Sequence, residues 1–439
     1  MAKKTNKMWR SSKKSSRKPN RPLVMTEEQI LRVSELGRHC DGIATQDDQE
    51  NSTRQFVPYA LPGELVRVKS DGKRAEIIEV IEPSEDRIEA FCPHFTKCGG
   101  CASQHFADAP YKTWKRSIVE TALRNKDHDV PVDELIDAHG DGRRRVTFHV
   151  TFDNNKIQVG FMQARSRALI NMDTCPILAP GLSKGTDAAR VLATAFQKDA
   201  HPLDIAITDT PQGMDCDVRG ARKFEYQTHI SIADAAEKCD LARVSIDGVM
   251  SLERRKPIMN IGAAKVPLPT ACFLQATAVG EETIAQLVLA ELKNSKKVAD
   301  LFCGIGPFAL RLASTTAVYA ADTSETAIAA LDHATRFAKN LKLVETAVRD
   351  LFRNPIFHID LNRFDAIILN PARAGAEAQV EEISASEVPL VIYVSCDPAS
   401  LARDAEILVD GGYTFERAIP VDQFKYSPHV ETVAVFRRS

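Results

Sequence analysis

No run of about 18 apolar residues occurs in the chain, which excludes a transmembrane helix. The N-terminus is basic but lacks the apolar stretch of a secretory signal, so a cytoplasmic, reducing compartment is expected. Cysteine is sparse, 10 residues in 439, too few for a disulfide scaffold. Cysteines that cluster therefore point to a metal or to catalysis. No internal repeat of fixed period is visible. Acidic residues are missing from positions 1–25, which hold Lys3, Lys4, Lys7, Arg10, Lys13, Lys14, Arg17, Lys18 and Arg21. All 59 acidic residues lie further on, so an acidic body carries a basic arm although the formal charge is only −2. That asymmetry hints at a polyanionic partner. At 44% hydrophobic and 26% charged the chain is globular, and its length fits two or three domains.

Residues 1–22 are Lys, Arg and Ser with almost nothing to bury, and are expected to be a disordered basic tail. Residues 23–90 read as short strands. Alternation in ELVRVKS and AEIIEVIE, with Gly42, Pro62, Gly63 and Gly72 as turn signals, predicts a small five-stranded β-barrel. Barrels of this size are common oligonucleotide platforms. Residues 91–265 open on a cysteine-rich segment. A helix at YKTWKRSIVETALRN and strands such as RRRVTFHVTF and DIAITDT follow, as an antiparallel sheet with helices packed on it. Residues 266–439 alternate strand and helix, with near-continuous apolar strands KVADLF, AVYAAD, FDAIILN and LVIYVS. That pattern predicts a parallel, doubly wound α/β sheet.

The segment VADLFCGIGPFA places Gly304 and Gly306 at a strand-to-helix turn, where backbone can approach a ligand at a helix N-terminus. With Ala309 it satisfies the loose G-x-G-x-x-G/A pattern. The next strand ends in Asp322, whose carboxylate can accept both hydroxyls of a ribose, in NAD or in S-adenosylmethionine. Two further strands end in Asn370-Pro371-Ala372-Arg373 and Ser395-Cys396-Asp397-Pro398, so both loops should face the ligand. Cys396 precedes a helix, where a thiolate is expected to be stabilised. Upstream, Cys92, Cys98 and Cys101 are spaced C-x5-C-x2-C, and Cys175 is a candidate fourth ligand. Four thiolates suit an iron–sulfur cluster or zinc, with His94 and His105 as lesser rivals. Arg143, Arg144 and Arg145, with Arg165 and Arg167, form a second basic group.

SCDPASLARD resembles the S-C-N-P-x-T-L-x-R-D signature of the RNA 5-methyluridine methyltransferases. NPARAG resembles their D-P-P/A-R-x-G, LFCGIGPF their cofactor loop, FLQAT their F-x-Q-x-N and HVETVAVF their closing H-V-E-x-V. C-x5-C-G-x-C-x-x-Q-H and M-D-T-C-P resemble the family's 4Fe–4S segment, and residues 23–90 its OB-like TRAM barrel. The resemblance implies a Rossmann-like methyltransferase domain at 266–439 and an α+β central domain at 91–265 carrying an iron–sulfur cluster on Cys92, Cys98, Cys101 and Cys175. It implies Cys396 as nucleophile and Glu431 as base. Gln275, Phe302, Gly304, Gly306, Asp322, Asp350 and Asn370 would hold S-adenosylmethionine. Members with both barrel and cluster are mostly bacterial ribosomal-RNA methylases, so 23S rRNA comes first and tRNA second. The enzyme is expected to be a monomer with no obligate protein partner and no membrane contact. Asp322, Asn370, Asp397 and Thr277 depart from the family's usual Glu, Asp, Asn and Asn. Two other classes fit parts of the chain: an NAD-dependent oxidoreductase built on GIGPFA, and a non-catalytic RNA-binding protein.

Overall fold

The structure, a computed structural model, describes residues 27–48, 51–153, 156–198, 200–222 and 225–438. The tail expected at 1–22 lies outside the described residues. The chain divides into two compact units, one of Asp41–Ser84 with the residues up to Gly37, the other of Arg38–Cys40 with everything from Glu85 onward.

The first unit is a five-stranded antiparallel sheet of Glu27–Leu36, Asp41–Asp48, Asn51–Pro58, Leu65–Ser70 and Ala75–Glu82, ordered third, second, first, fourth, fifth. Alternation puts Val66 and Val68 inside with Leu31, Val33 and Val57, while Lys69 faces out. Bulges in the first and fifth strands bend the sheet. It curls until the Phe56 N–H donates to the Lys73 carbonyl, so the two edge strands meet in a half-barrel.

The second unit holds two large sheets. One has seven strands, in the order Val249–Glu253, Arg243–Ile246, Gly213–Arg219, Leu203–Thr210, Arg145–Asp153, Lys156–Met162 and Leu169–Asn171. Helices Gly185–Ala193 and Tyr226–Lys238 cover it over a core of Phe148, Ile205, Ile207, Leu192 and Ile232. It is antiparallel except where Gly213–Arg219 runs parallel to Arg243–Ile246. Helix Tyr226–Lys238 lies between that pair in the chain, and such a crossover is what a parallel pair requires.

The other sheet has eight strands, in the order Val344–Val348, Ala317–Asp322, Lys297–Leu301, Ala366–Leu369, Leu390–Ser395, Glu431–Arg438, Tyr413–Asp422 and Ile136–Asp137. The first five are mutually parallel. Every residue of Ala366–Leu369 and Leu390–Ser395 is buried, because helices pack on both faces. Glu431–Arg438 runs antiparallel to both of its neighbours. Its first residue therefore lies at the edge where the parallel strands end. The outermost strand, Ile136–Asp137, comes from the segment ahead of the seven-stranded sheet. Among the described residues no helix is long and apolar enough to cross a membrane.

Candidate active site and cysteine pocket

Strand register brings the expected site residues to one edge. Leu301 pairs with Ala321 and Leu369, and Asp322 pairs with Val348. Phe302, Asp322, Asp350 and Asn370 thus emerge from four adjacent strands. Ser395 pairs with Thr432, which sets Cys396 and Glu431 beside one another on neighbouring strands.

The glycine turn is built for close approach. Gly304 has φ +55°, and a Cβ there would meet only open space. Gly306 has φ +80°, and a Cβ would lie 2.5 Å from Leu331 Cδ1, so this glycine lets the turn pack on the following helix. Phe302 also has a positive φ of 62°, a strained setting for a bulky residue of the kind found at binding loops. Its ring packs 5.1 Å from Phe352. Asp322 accepts hydrogen bonds from the Gly304 and Ser324 amides at 2.9 and 2.8 Å, which fix its carboxylate while leaving lone pairs free. Asp350 accepts from Phe352 N–H at 3.1 Å and lies 3.7 Å from the Arg353 guanidinium. Asn370 is half-buried, and its N–H donates to the Leu301 carbonyl.

Cys396 is half-buried, and its environment does not favour a thiolate. Burial first, and then the Glu431 carboxylate, push the thiol up to about 11. The expected helix stabilisation fails because Asp397 caps the helix Pro398–Asp410 itself. Its carboxylate accepts from Ala399 N–H at 3.0 Å and Ser400 N–H at 3.3 Å, taking the amides a thiolate would use. The Arg373 guanidinium is the cation that pulls the thiol downward. Arg373 lies 3.3 Å from His429 Nε2, and burial pushes that imidazole down to about 4, so it is neutral near pH 7. Glu431 is 4% exposed rather than a solvated carboxylate, and burial raises its carboxyl to about 7. Arg403 and Asp404 hold the scaffold. Asp404 accepts from Arg403, the Tyr393 hydroxyl and the Ala376 amide, and Arg403 donates to the Ala374 carbonyl. The loop carrying Arg373 is thereby tied to the helix behind Cys396.

Gln275 is buried just ahead of the helix Ala278–Glu291, and its carbonyl accepts from Arg144 Nε at 3.0 Å. Arg144 is 7% exposed and paired with Glu281, so it is a structural ion pair rather than part of a basic surface. The turn between Asp422 and Glu431 is pinned from below. Lys115 is fully buried and donates to Asp422 at 2.6 Å and to the Phe424 and His429 carbonyls, while the Tyr111 hydroxyl donates to Asp422.

Cys92, Cys98, Cys101 and Cys175 line one cavity of about 270 Å³, together with His94, Gln104 and Arg143. Burial pushes the Cys101 thiol up to about 11 and the Cys175 thiol to about 12, and the neighbouring thiols add to both. Among the described residues no three Cys, His, Asp or Glu side chains already form a group that holds a metal ion. Arg143 Nε and Nη2 are buried with no hydrogen-bond partner among the described residues. Uncharged thiols do not answer that cation, whereas a thiolate-ligated anionic group fits it. His105 is buried and packs 5.2 Å from Phe95.

Three residues of this edge escape reading from sequence: His429, Phe352 and Gln423. The first sits inside SPHVET and carries a signal there. Phe352 and Gln423 carry none, because only the folded register brings them to Phe302 and Glu431.

A family model described as tRNA (Uracil-5-)-methyltransferase matches residues 263–439. An uncharacterized RNA methyltransferase from Brucella melitensis is 40% identical, over 93% of this chain and 97% of its own length. The 23S rRNA (uracil(1939)-C(5))-methyltransferase RlmD of Acinetobacter baumannii is 30% identical, over 96% of this chain and 97% of its own. The tRNA (uracil-54, C5)-methyltransferase of Pyrococcus abyssi, solved with S-adenosyl-L-homocysteine, superposes with a TM-score of 0.70. It is 19% identical, over 93% of this chain and 99% of that one, and shows a shared fold. By its likeness to these relatives along nearly its whole length, this chain belongs to the S-adenosylmethionine-dependent RNA (uracil-5-)-methyltransferase family.

Proposed function

We propose that the protein methylates carbon 5 of one uridine in 23S rRNA through a covalent adduct on Cys396. The observation that carries the reading is the juxtaposition of a half-buried thiol and a buried carboxylate on paired strands, beside the glycine turn. Uracil carbon 5 is too weak a nucleophile to take a methyl group unaided. Cys396, its proton released to solvent, adds as thiolate through Sγ to carbon 6, and the electron pair of the C5–C6 double bond moves onto carbon 5 and makes it nucleophilic. The donor supplies a sulfonium methyl and a positive charge, which favours a nearby thiolate. Once carbon 5 is methylated, Glu431 takes its proton, the double bond re-forms and Sγ leaves carbon 6 as thiolate. Gln275, Phe302, Gly304, Gly306, Asp322, Asp350 and Asn370 are the residues that would hold the donor. The choice of 23S rRNA rests on the likeness to RlmD along nearly the whole chain.

Cys92, Cys98, Cys101 and Cys175 would hold a 4Fe–4S cluster. A lone zinc draws thiolates to about 2.3 Å from one point. A cavity of about 270 Å³ with Arg143 Nε and Nη2 on its wall, unpartnered among the described residues, suits a larger anionic cluster better. Such a cluster would staple Cys175 to the loop before helix Asp108–Arg124, and no step of the methylation passes through it. The basic tail 1–22 and the barrel at 23–90 would bind RNA, residues 91–265 would carry the cluster, and 266–439 the chemistry. A cytoplasmic monomer completes the reading.

RNA containing 5-fluorouridine tests it, because fluorine cannot leave as a proton does. Incubation with the methyl donor should yield a protein–RNA adduct that survives denaturation and maps to Cys396. Undiminished trapping by Cys396→Ser would overturn the assignment, and trapping on tRNA but not on rRNA would move the substrate.

A further inference from the structure

Gln423 follows the strand Tyr413–Asp422 and is completely buried. Its three hydrogen bonds join two halves of the site. Oε1 accepts from the Ala276 N–H at 2.8 Å. Nε2 donates to Gln275 Oε1 at 2.6 Å and to Glu431 Oε1 at 3.1 Å. The amide cannot be turned over. Exchanging its ends would set NH2 against the Ala276 N–H and an oxygen against the Glu431 carboxylate. Both N–H groups are therefore committed, one to each neighbour.

Two consequences follow for those neighbours. The bond from Gln423 fixes which end of the Gln275 amide is oxygen, so its NH2 lies at the opposite end, where it can donate to an acceptor on a ligand. Glu431 Oε1 accepts a bond from Gln423 and Oε2 accepts none among the described residues, which makes Oε2 the more basic oxygen towards an incoming proton. Room for this arrangement comes from Gly280, where a Cβ would lie 2.7 Å from Gln423 Cβ. We infer that Gln423 is a positioning residue that couples the donor pocket to the base, orienting the Gln275 amide and reserving Glu431 Oε2 for the carbon 5 proton. The inference rests on Glu431 being the base. In that step Oε2 gains the proton, the C–H electron pair becomes the C5–C6 double bond, and the C6–S bond breaks to return the Cys396 thiolate.

The other charged or titratable groups acting on Glu431 are Arg373, on the loop after Ala366–Leu369, and Cys396, at the end of Leu390–Ser395. His429 contacts Arg373 from the chain just ahead of Glu431. None of these replaces the donor that Gln423 provides, so its removal should favour the protonated acid.

The test is single-turnover release of tritium from RNA carrying 5-tritiated uridine, measured against pH and donor concentration in the full-length protein. Gln423→Met retains length and loses both donors. Gln423→Glu also loses them and adds a like charge. The pH of half-maximal release should rise in the order wild type, Met, Glu, and the donor concentration for half-maximal rate should rise several-fold in both variants. Gly280→Ala, whose Cβ would crowd Gln423 and also the Thr277 hydroxyl that caps the helix, should move both quantities in the same direction and serves if the substitutions at 423 do not fold. Wild-type values of both quantities in the folded variants would overturn the coupling. Full release by Glu431→Gln would instead overturn the parent assignment of the base, whatever Gln423 does.

Discussion

Glu431 shows how far burial can change a residue's role. A carboxyl raised to about 7 is half protonated near neutral pH and can take a proton and return it. The same shift makes it a liability for the fold. Between its ordinary value of 4.5 and about 7, the folded protein holds a proton that the unfolded chain has released. Stability on this account is fully present below about pH 4.5, falls as pH rises towards 7, and stays lower above it. Glu431→Gln removes the charge and hence the cost. Its thermal midpoint should exceed the wild type's at pH 8, by a free energy of at most about 3 kcal/mol. The two should converge below about pH 4.5, while methyl transfer is lost at every pH. Calorimetry across that range decides it, and a variant less stable than wild type at pH 8 would contradict the account.

At the scale of elements, the loop from Glu85 to Ala107 contains neither helix nor strand, a long irregular stretch inside a compact unit. A few backbone bonds hold it, among them Gly99 N–H to Met162, Ala164 N–H to Lys97 and Ala102 N–H to Tyr426. A cluster tying three of its cysteines to Cys175 would brace it further. Anaerobically purified protein should therefore contain iron and acid-labile sulfide, and Cys175→Ser should lose both and become easier to proteolyse within this loop. One zinc per chain without iron would keep the four thiolates and remove the cluster. The elements differ in how legible they are in the sequence. Strands such as Leu390–Ser395 announce themselves because burial on both faces makes them unbroken apolar runs. Cys396 is legible because it follows one. Pairing is not: nothing local says that Glu431–Arg438 slots between two earlier strands, and it is this that buries Glu431 and brings Gln423 to it. Arg144 misleads for the same reason, since its partner Glu281 is 137 residues away.

On the scale of the whole molecule, charge and chemistry are separated along the chain. Positions 1–25 hold nine basic residues and no acidic one, and every acidic residue lies further along the sequence. A protein without residues 1–22 should bind its RNA more weakly and with a flatter salt dependence, each lost phosphate contact removing about 0.7 from the slope on single strands. The choice of uridine should stay the same, because phosphate contacts position while base contacts specify. Coincident salt series for the truncated and full-length proteins would show that the arm is not an RNA contact. The reversed strand has a mechanical meaning as well. Cys396 and Glu431, the proposed nucleophile and base, hang from adjacent rungs of a ladder, Ser395 opposite Thr432, in the interior of an eight-stranded sheet. Motion that carries one carries the other, so their separation fluctuates as a sheet spacing does and not as a loop does. A flipped-out base entering the site would therefore meet two groups whose alignment is set by the sheet and not by the loops around them. That alignment lasts until the sheet itself comes apart.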